Sequence, residues 1–401
     1  MRVLALSLGV PYPPLGGGLT RTFHLLNALA SHHEVALAAF SYGESHDPPP
    51  DGIALHTVPW QDSADYHAMI GADAEASRRA YQRLTFESNQ PWFAGVMDPA
   101  PMQALIARLT GDRPAVVLFE GTPLARFLDA IPPGVPRVLD LFDIHSLMAR
   151  DAASQAAGDD QMLAREAERT LAFERHAVRE CRACLAVSEA DAAAARELLH
   201  ARAVHVVPNG VDTSYFFPAA AAPHAGSVLF TGRMSYEPNV DAVCYFAEQI
   251  WPLVRRDVPA ATFHIVGASP APRVTALVAD GVTVHGRVDD VRPHQWQSEV
   301  VVVPVRFGGG TRLKALEAAA CGKAIVSTSL GIAGLPFRNG YDALIADTPR
   351  DFASAVVALL RDADRRAELG TNARATACRF EWRGIGDSFR RILEAVVTDR
   401  A

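Results

Sequence analysis

Cysteine is scarce: the 401 residues hold 5, odd in number and scattered, which excludes a disulfide framework. Cys181 and Cys184 form one Cys-x-x-Cys pair without a second pair or a histidine ladder, so zinc or redox chemistry is the weaker reading. Excess basic charge is also missing. Lys and Arg number 38 against 45 Asp and Glu, a net charge of −7, which argues against broad adhesion to nucleic acid or anionic lipid. A local basic pocket remains compatible with that balance. No apolar run approaches the roughly 20 residues that span a bilayer. The opening "MRVLALSLGVPYPP" has one early cation, a short apolar stretch and prolines in place of a small-residue cleavage site. It reads as a first strand and not as an export signal. The expectation is a cytoplasmic protein, with any contact to the inner face of a membrane left to a local surface.

What is present describes a globular chain, 49% hydrophobic and 21% charged. Its length suits two domains of roughly 200 residues. "RVLALSL", "HEVALAAF", "AVVLFE", "RVLDLF", "CLAVS" and "VHVVPNG" are short apolar runs separated by helical patterns. That alternation indicates a parallel sheet with helices on both faces. It breaks at "PNGVDTSYFFPAAAAPHAG", a proline- and alanine-rich stretch read as the linker. It restarts with "SVLFTG", a helix from Asn239 to about Val254, "ATFHIVG", "VTVHG", "VVVVPV", "KAIVST" and "ALIA". The fold class is therefore α/β, with two Rossmann-like doubly wound domains facing a central cleft. The expected domains are 1–212, 213–385 and a terminal helix, 386–401, packed back on the first.

In such sheets ligands bind beyond the carboxyl ends of strands, so the residues following each strand are the candidates. "GVPYPPLGGGLTR" places Gly16, Gly17 and Gly18 after the first strand, with Thr20 opening a helix. Bare amides at a helix start attract phosphate. The spacing matches neither a dinucleotide fingerprint nor a Walker loop. Arg233 follows "SVLFTG", where a guanidinium suits phosphate. "VVVPVRFGGGTRLKALEAAACG" brings Gly308, Gly309 and Gly310, then Thr311 as an N-cap, Arg312, Lys314 and Glu317 on a helix ending at Gly322. Cations at a helix start suit a diphosphate. Glu317 has two open roles, ion-pair partner or acceptor from ribose hydroxyls.

"FTGRMSYEPNVDAVCYFAEQIWPLVRRDVPAATFHIVG", "VTVHGRVDDVRP" and "GGGTRLKALEAAACGKAIVSTSLGIAGL" resemble the donor-binding half of GT-B glycosyltransferases of family four, which are retaining enzymes. "VPYPPLGGGLTRTFHLLNALASHHEVALAAF" and "LAVSEADAA…VHVVPNGVDTSYFFP" resemble their acceptor half. The nearest subgroup is the exopolysaccharide-associated sugar transferases. The resemblance implies that Arg233 binds the donor diphosphate and Glu317 the donor ribose. Gly267, Arg287 and Val288 match the nucleobase wall, and Gly16 to Gly18 the loop near donor phosphate and acceptor. The chain departs from the family at three places. Gly309 stands where the family usually places the first glutamate of a Glu-x7-Glu motif. Asn239 stands where a lysine is usual, a charge that Arg312 or Lys314 would supply. The usual histidine is displaced within "VLDLFDIHSLMAR", which offers Asp140, Asp143 and His145.

The implied activity is transfer of a sugar from a nucleoside-diphosphate sugar to a hydroxyl of a glycan, a lipid-linked sugar or a small molecule, in polysaccharide or glycoconjugate synthesis. Arg233, Lys314, Glu317 and His145 are the expected catalytic residues. No cofactor and no metal is expected, because fixed cations and amides can balance the charge on the leaving diphosphate. A nucleotide-sugar epimerase or hydrolase and a non-catalytic nucleotide-sugar binder remain as alternatives.

Overall fold

The computed structural model describes residues 1–398 apart from 15, 44, 71–73, 156–160 and 221. The chain forms two compact units, Met1–Pro208 with Ile385–Ala401, and Asn209–Gly384.

Among the described residues, the first unit is built on seven parallel strands: β1 (Arg2–Ser7), β2 (Glu34–Ser41), β3 (Ile53–Pro59), β4 (Val116–Glu120), β5 (Arg137–Leu141), β6 (Ala183–Ala186) and β7 (Val204–Val206). Their order is β3-β2-β1-β4-β5-β6-β7, so the winding direction reverses between β1 and β4. β1, β4 and β5 are buried almost throughout, as unbroken apolar runs should be when helices cover both faces. Register sets Ser7 beside Glu120 and Glu120 beside Asp140 at the carboxyl ends. The sequence hides β3, because only Ile53 of this edge strand is buried and the rest, including His56 and Thr57, are exposed or half-buried.

The helix Gly17–Ala30 buries Leu25, Leu26 and Leu29. It starts before Thr20, the residue expected to open it. Gly16, at φ 94°, occupies the cap, and the Thr20 hydroxyl donates back to the Gly16 carbonyl at 2.9 Å. The last helix, Trp382–Thr398, starts four residues before the expected terminal helix. Within the first unit its Glu394 meets His33 Nε2 at 2.9 Å. A Cβ on Gly386 would lie 2.5 Å from that of Ala28, so this helix packs closely on Gly17–Ala30.

The second unit repeats the plan with β8 (Ser227–Thr231), β9 (Thr262–Val266), β10 (Val282–Gly286), β11 (Val300–Val303), β12 (Ala324–Ser327) and β13 (Leu344–Ile345). The order is β10-β9-β8-β11-β12-β13, all parallel, reversing between β8 and β11. Its core is separate from that of the first unit and includes Phe230, Phe246, Phe263 and Phe352. The helix expected from Asn239 starts at Glu237, since Pro238 fits a first helical position where an N–H is unpaired anyway. It continues as a π turn, Phe246–Ile250, and resumes as Trp251–Asp257, where Pro252 cannot donate to the preceding turn.

The stretch read as a linker is fastened to the second unit. Val211 N–H donates to Phe380 O at 2.8 Å, and Arg374 donates to the Phe216 and Thr213 carbonyls. The boundary falls at Pro208 and Asn209 instead of after residue 212. No helix among the described residues is long and apolar enough to cross a membrane. All five cysteines are free, and burial pushes the Cys184 thiol up to about 12.

Candidate active site

Four adjacent parallel strands of the second unit end in candidate residues: β10 in Arg287 and Val288, β9 in Gly267, β8 in Gly232 and Arg233, β11 in the glycine loop. Parallel pairing puts these carboxyl ends on one edge of the sheet, on both sides of the winding reversal. The backbone there is crowded. Gly267 N–H donates to Gly286 O at 2.9 Å and Gly232 N–H to Val266 O at 3.0 Å. A Cβ at Gly267 would stand 1.7 Å from Gly232 O, so only glycine permits this approach.

Arg233 is exposed and makes no side-chain hydrogen bond or ion pair among the described residues. Its carbonyl accepts from Asn239 Nδ2 at 2.9 Å. The opposite end of that amide receives Lys314 Nζ at 2.5 Å on Oδ1. Lys314 also lies 4.1 Å over the ring of Phe230 on β8. A Cβ at Gly232 would be 2.8 Å from both Lys314 Nζ and Asn239 Nδ2. Asn239 therefore ties the Lys314 ammonium to the end of β8, beside Arg233. The structure brings Arg233, Asn239 and Lys314 together.

Lys314 and Glu317 keep some open surface, yet protein surrounds both closely. Burial lowers the Lys314 amine to about 7, helped by the neighbouring Arg312 and opposed by Glu317. Burial likewise raises the Glu317 carboxyl to about 7, opposed by Lys314 one turn earlier. The Glu317 carboxylate makes no hydrogen bond or ion pair among the described residues. It is an acceptor without a donor.

The glycine loop differs from expectation in two respects. Thr311 is not the cap: the helix is Leu313–Ala320, its cap residue is Arg312, and no side chain caps it. The Thr311 hydroxyl instead accepts from Asn209 Nδ2 at 2.7 Å. Arg312, expected to face a diphosphate, turns onto its own loop. NH2 donates to Gly308 O at 2.6 Å, and NH1 donates to Gly310 O at 2.8 Å and to Gly309 O. Gly308 and Gly310 have φ of 107° and 69°, whereas Gly309 is not among the left-handed glycines. Gly322, at φ 69°, ends the helix as expected. Arg287 is exposed, and Val288 packs partly against the core of the second unit.

In the first unit, Gly17 and Gly18 form the first turn of their helix, and Gly18 sits 3.4 Å, as Cβ, from the Phe142 ring. His145 opens the helix His145–Gln155 beyond β5. The buried Glu174 carboxylate accepts from His145 N–H at 2.9 Å, Ser146 N–H at 3.0 Å and the Thr122 hydroxyl at 3.1 Å. It caps that helix from a distant one, Gln161–Glu180, and its Oε1 is 3.8 Å from His145 Nδ1. The imidazole packs 4.8 Å from the Phe93 ring. Asp140 is committed elsewhere, in a fully buried pair with Arg21 at 2.6 Å. Arg21 also donates to Val207 O and Pro208 O. Burial and then Asp140 push the neighbouring Glu120 carboxyl up. Glu174, Asn209 and Arg21 carry no local signature and escaped the reading of the sequence, since their partners lie tens to more than a hundred residues away. Among the described residues, no group of three or more His, Cys, Asp or Glu side chains could hold a metal ion.

The sequence model described as Glycosyltransferase Family 4 matches residues 15–215, and that described as glycosyl transferases group 1 matches residues 225–362. The chain belongs to Glycosyltransferase Family 4. It is 30% identical over 210 residues to the D-inositol 3-phosphate glycosyltransferase of Xylanimonas cellulosilytica, covering 45% of this chain and 48% of that one. The matched region thus spans about half the length of the curated relatives. The fold is similar to that of sucrose-phosphate synthase from Thermosynechococcus elongatus, with TM-score 0.72, 16% identity and 99% of each chain covered. It is also similar to Anabaena Alr3699/HepE in complex with UDP-glucose, with TM-score 0.65, 15% identity, and 98% of this chain and 100% of that one covered. These neighbours define the architecture as GT-B.

Proposed function

We propose that the chain is a retaining glycosyltransferase that moves a sugar from a nucleoside-diphosphate sugar to a hydroxyl acceptor in the assembly of a polysaccharide or glycoconjugate. The observation that carries this reading is the edge of the second sheet, where an uncommitted guanidinium, a tethered ammonium, an uncommitted carboxylate and a glycine loop follow neighbouring strands. Two cations beside bare amides suit a diphosphate. A lone acceptor suits the paired hydroxyls of a ribose. Relatives that are glycosyltransferases by name, and neighbours solved with UDP and UDP-glucose, support the same reading.

In this mechanism the acceptor oxygen attacks the anomeric carbon on the face from which the diphosphate departs. The bond from that carbon to the phosphate oxygen breaks, and its electron pair leaves with the diphosphate. The acceptor proton passes to a diphosphate oxygen, so a nucleoside diphosphate and a glycoside result with the anomeric configuration kept. Arg233 and Lys314 offset the negative charge as it grows, and that electrostatic stabilisation supplies the rate without a protein nucleophile. Lys314 provides the charge that Asn239 does not, and Asn239 aims it. Glu317 holds the donor ribose, while Gly267, Arg287 and Val288 border the base. In the first unit, Gly17, Gly18 and His145 remain the candidates for acceptor contact, and Glu174 holds the His145 backbone N–H. The chemistry assigned to these residues requires neither metal nor cofactor.

The test is calorimetry with UDP, GDP and ADP, followed by mass spectrometry of nucleotide sugars with glycan and lipid acceptors. Arg233→Ala should weaken diphosphate binding about ten- to a hundredfold, from a charge-assisted contact of roughly 1.5–3 kcal/mol. Equal affinity in the variant would remove Arg233 from the site. Donor consumption with no glycoside formed would identify a hydrolase instead.

A further inference from the structure

We infer that Arg312 is a positioning residue whose guanidinium, bound to the carbonyls of Gly308, Gly309 and Gly310, holds the glycine loop as a surface of hydrogen-bond donors for an anionic ligand. The inference rests on the donor-site reading above and changes what Arg312 does within it. Lys314 lies two residues further on, and its ammonium reaches Asn239 and the end of β8. Arg312 takes the opposite course and folds back on the three residues before Thr311.

The hydrogen bonds explain the consequence. A run of glycines has no side chains to hold it and loses more conformational freedom on ordering than any other sequence. Each peptide of the run carries an acceptor and a donor, and either could face a ligand. Here the acceptors of three successive peptides converge on one cation. The amides of Gly308, Gly309, Gly310 and Thr311 make no hydrogen bond among the described residues. Acceptors are therefore occupied and donors are left over, an arrangement that favours anions over cations. Without the guanidinium, the same carbonyls would be unbound dipoles close to the ligand and would repel a diphosphate. Gly308 adds a second fixture, because a Cβ there would lie 3.1 Å from Cγ of Pro238, at the start of the helix after β8.

A planar fork can reach three carbonyls at once, whereas a lysine ammonium is a point charge on a flexible stem. Arg312→Lys keeps the charge and discards the fork, and it separates positioning from direct binding. The experiment uses the full chain labelled with 15N-glycine, as wild type, Arg312→Ala and Arg312→Lys. Backbone order parameters are measured without ligand, then affinities for UDP, GDP and ADP by calorimetry. Both variants should lose order at Gly308 to Gly310, from about 0.85 to below about 0.6, while the other glycine resonances stay in place and report an intact fold. Both should also bind the preferred nucleoside diphosphate about tenfold more weakly, the cost of ordering the loop on binding. An ordered loop in Arg312→Ala would overturn the inference. So would wild-type affinity in Arg312→Lys, which would make Arg312 a direct charge contact. If the wild type binds none of the three nucleotides, the donor reading falls, while the loop's order in the free protein still judges the role of Arg312.

Discussion

Donor binding should depend on pH in a way that the surroundings of Lys314 and Glu317 dictate. The amine is lowered to about 7 and the carboxyl raised to about 7, both by burial. The binding form requires the ammonium, which meets the diphosphate, and the carboxylate, which accepts from the ribose. Above pH 7 the free protein loses the Lys314 proton and must regain it on binding, so affinity should fall about tenfold per pH unit. At pH 8 roughly a tenth of the lysine is charged, and at pH 9 roughly a hundredth. The decline stops only near the higher pKa that the lysine acquires beside a bound diphosphate. Below pH 7 Glu317 takes up a proton and weakens binding on the acid side, giving a maximum near neutrality. The assay is calorimetry with a nucleotide sugar, whose diester diphosphate does not itself titrate near 7. Buffers of differing ionisation enthalpy would count the proton taken up at pH 8. Lys314→Met should abolish the alkaline limb and Glu317→Gln the acid limb. Constant affinity from pH 6 to 9, or an alkaline limb that survives in Lys314→Met, would refute the reasoning.

Other substitutions probe the supports of the site. Gly267→Ala places a Cβ 1.7 Å from Gly232 O and should cost about 3 kcal/mol or more. The transition of the second unit should then drop by about 6–12 °C in calorimetry, and a shift within error would refute the clash. Glu174→Ala removes the acceptor for His145 N–H, Ser146 N–H and the Thr122 hydroxyl, a loss of about 2–3 kcal/mol readable by urea denaturation. Gly309→Glu should fold and still bind nucleoside diphosphate, because its φ is not left-handed, whereas Gly308→Ala, at φ 107° and against Pro238, should impair binding. Failure of Gly309→Glu to fold would contradict that distinction.

Most strands, and the residues that follow them, are legible in the sequence, although the order in which the strands pair is not. "SVLFTG" and "VVVVPV" are apolar runs closed by glycine or proline, and each becomes a buried parallel strand with candidate residues at or beyond its carboxyl end, whereas "ATFHIVG" carries the half-buried Thr262 and His264. Local composition suffices there, because burial on both faces demands an unbroken apolar run. Glycine also announces its own need at Gly308, Gly310 and Gly322, where φ is positive. The partner of each polar side chain is a different matter. Nothing in "GGGTRLK" states that Arg312 turns back on the loop while Lys314 reaches an asparagine 75 positions away. Thr311 has the chemistry of a cap, yet it accepts from Asn209, 102 positions earlier. Asp140 and His145 lie five residues apart, but one is spent on Arg21 and the backbone N–H of the other is held by Glu174. Periodicity records which residues avoid water, a property of each short segment. A hydrogen bond has direction and a length limit, so its partner is decided only when distant segments are brought within about 3 Å by the fold.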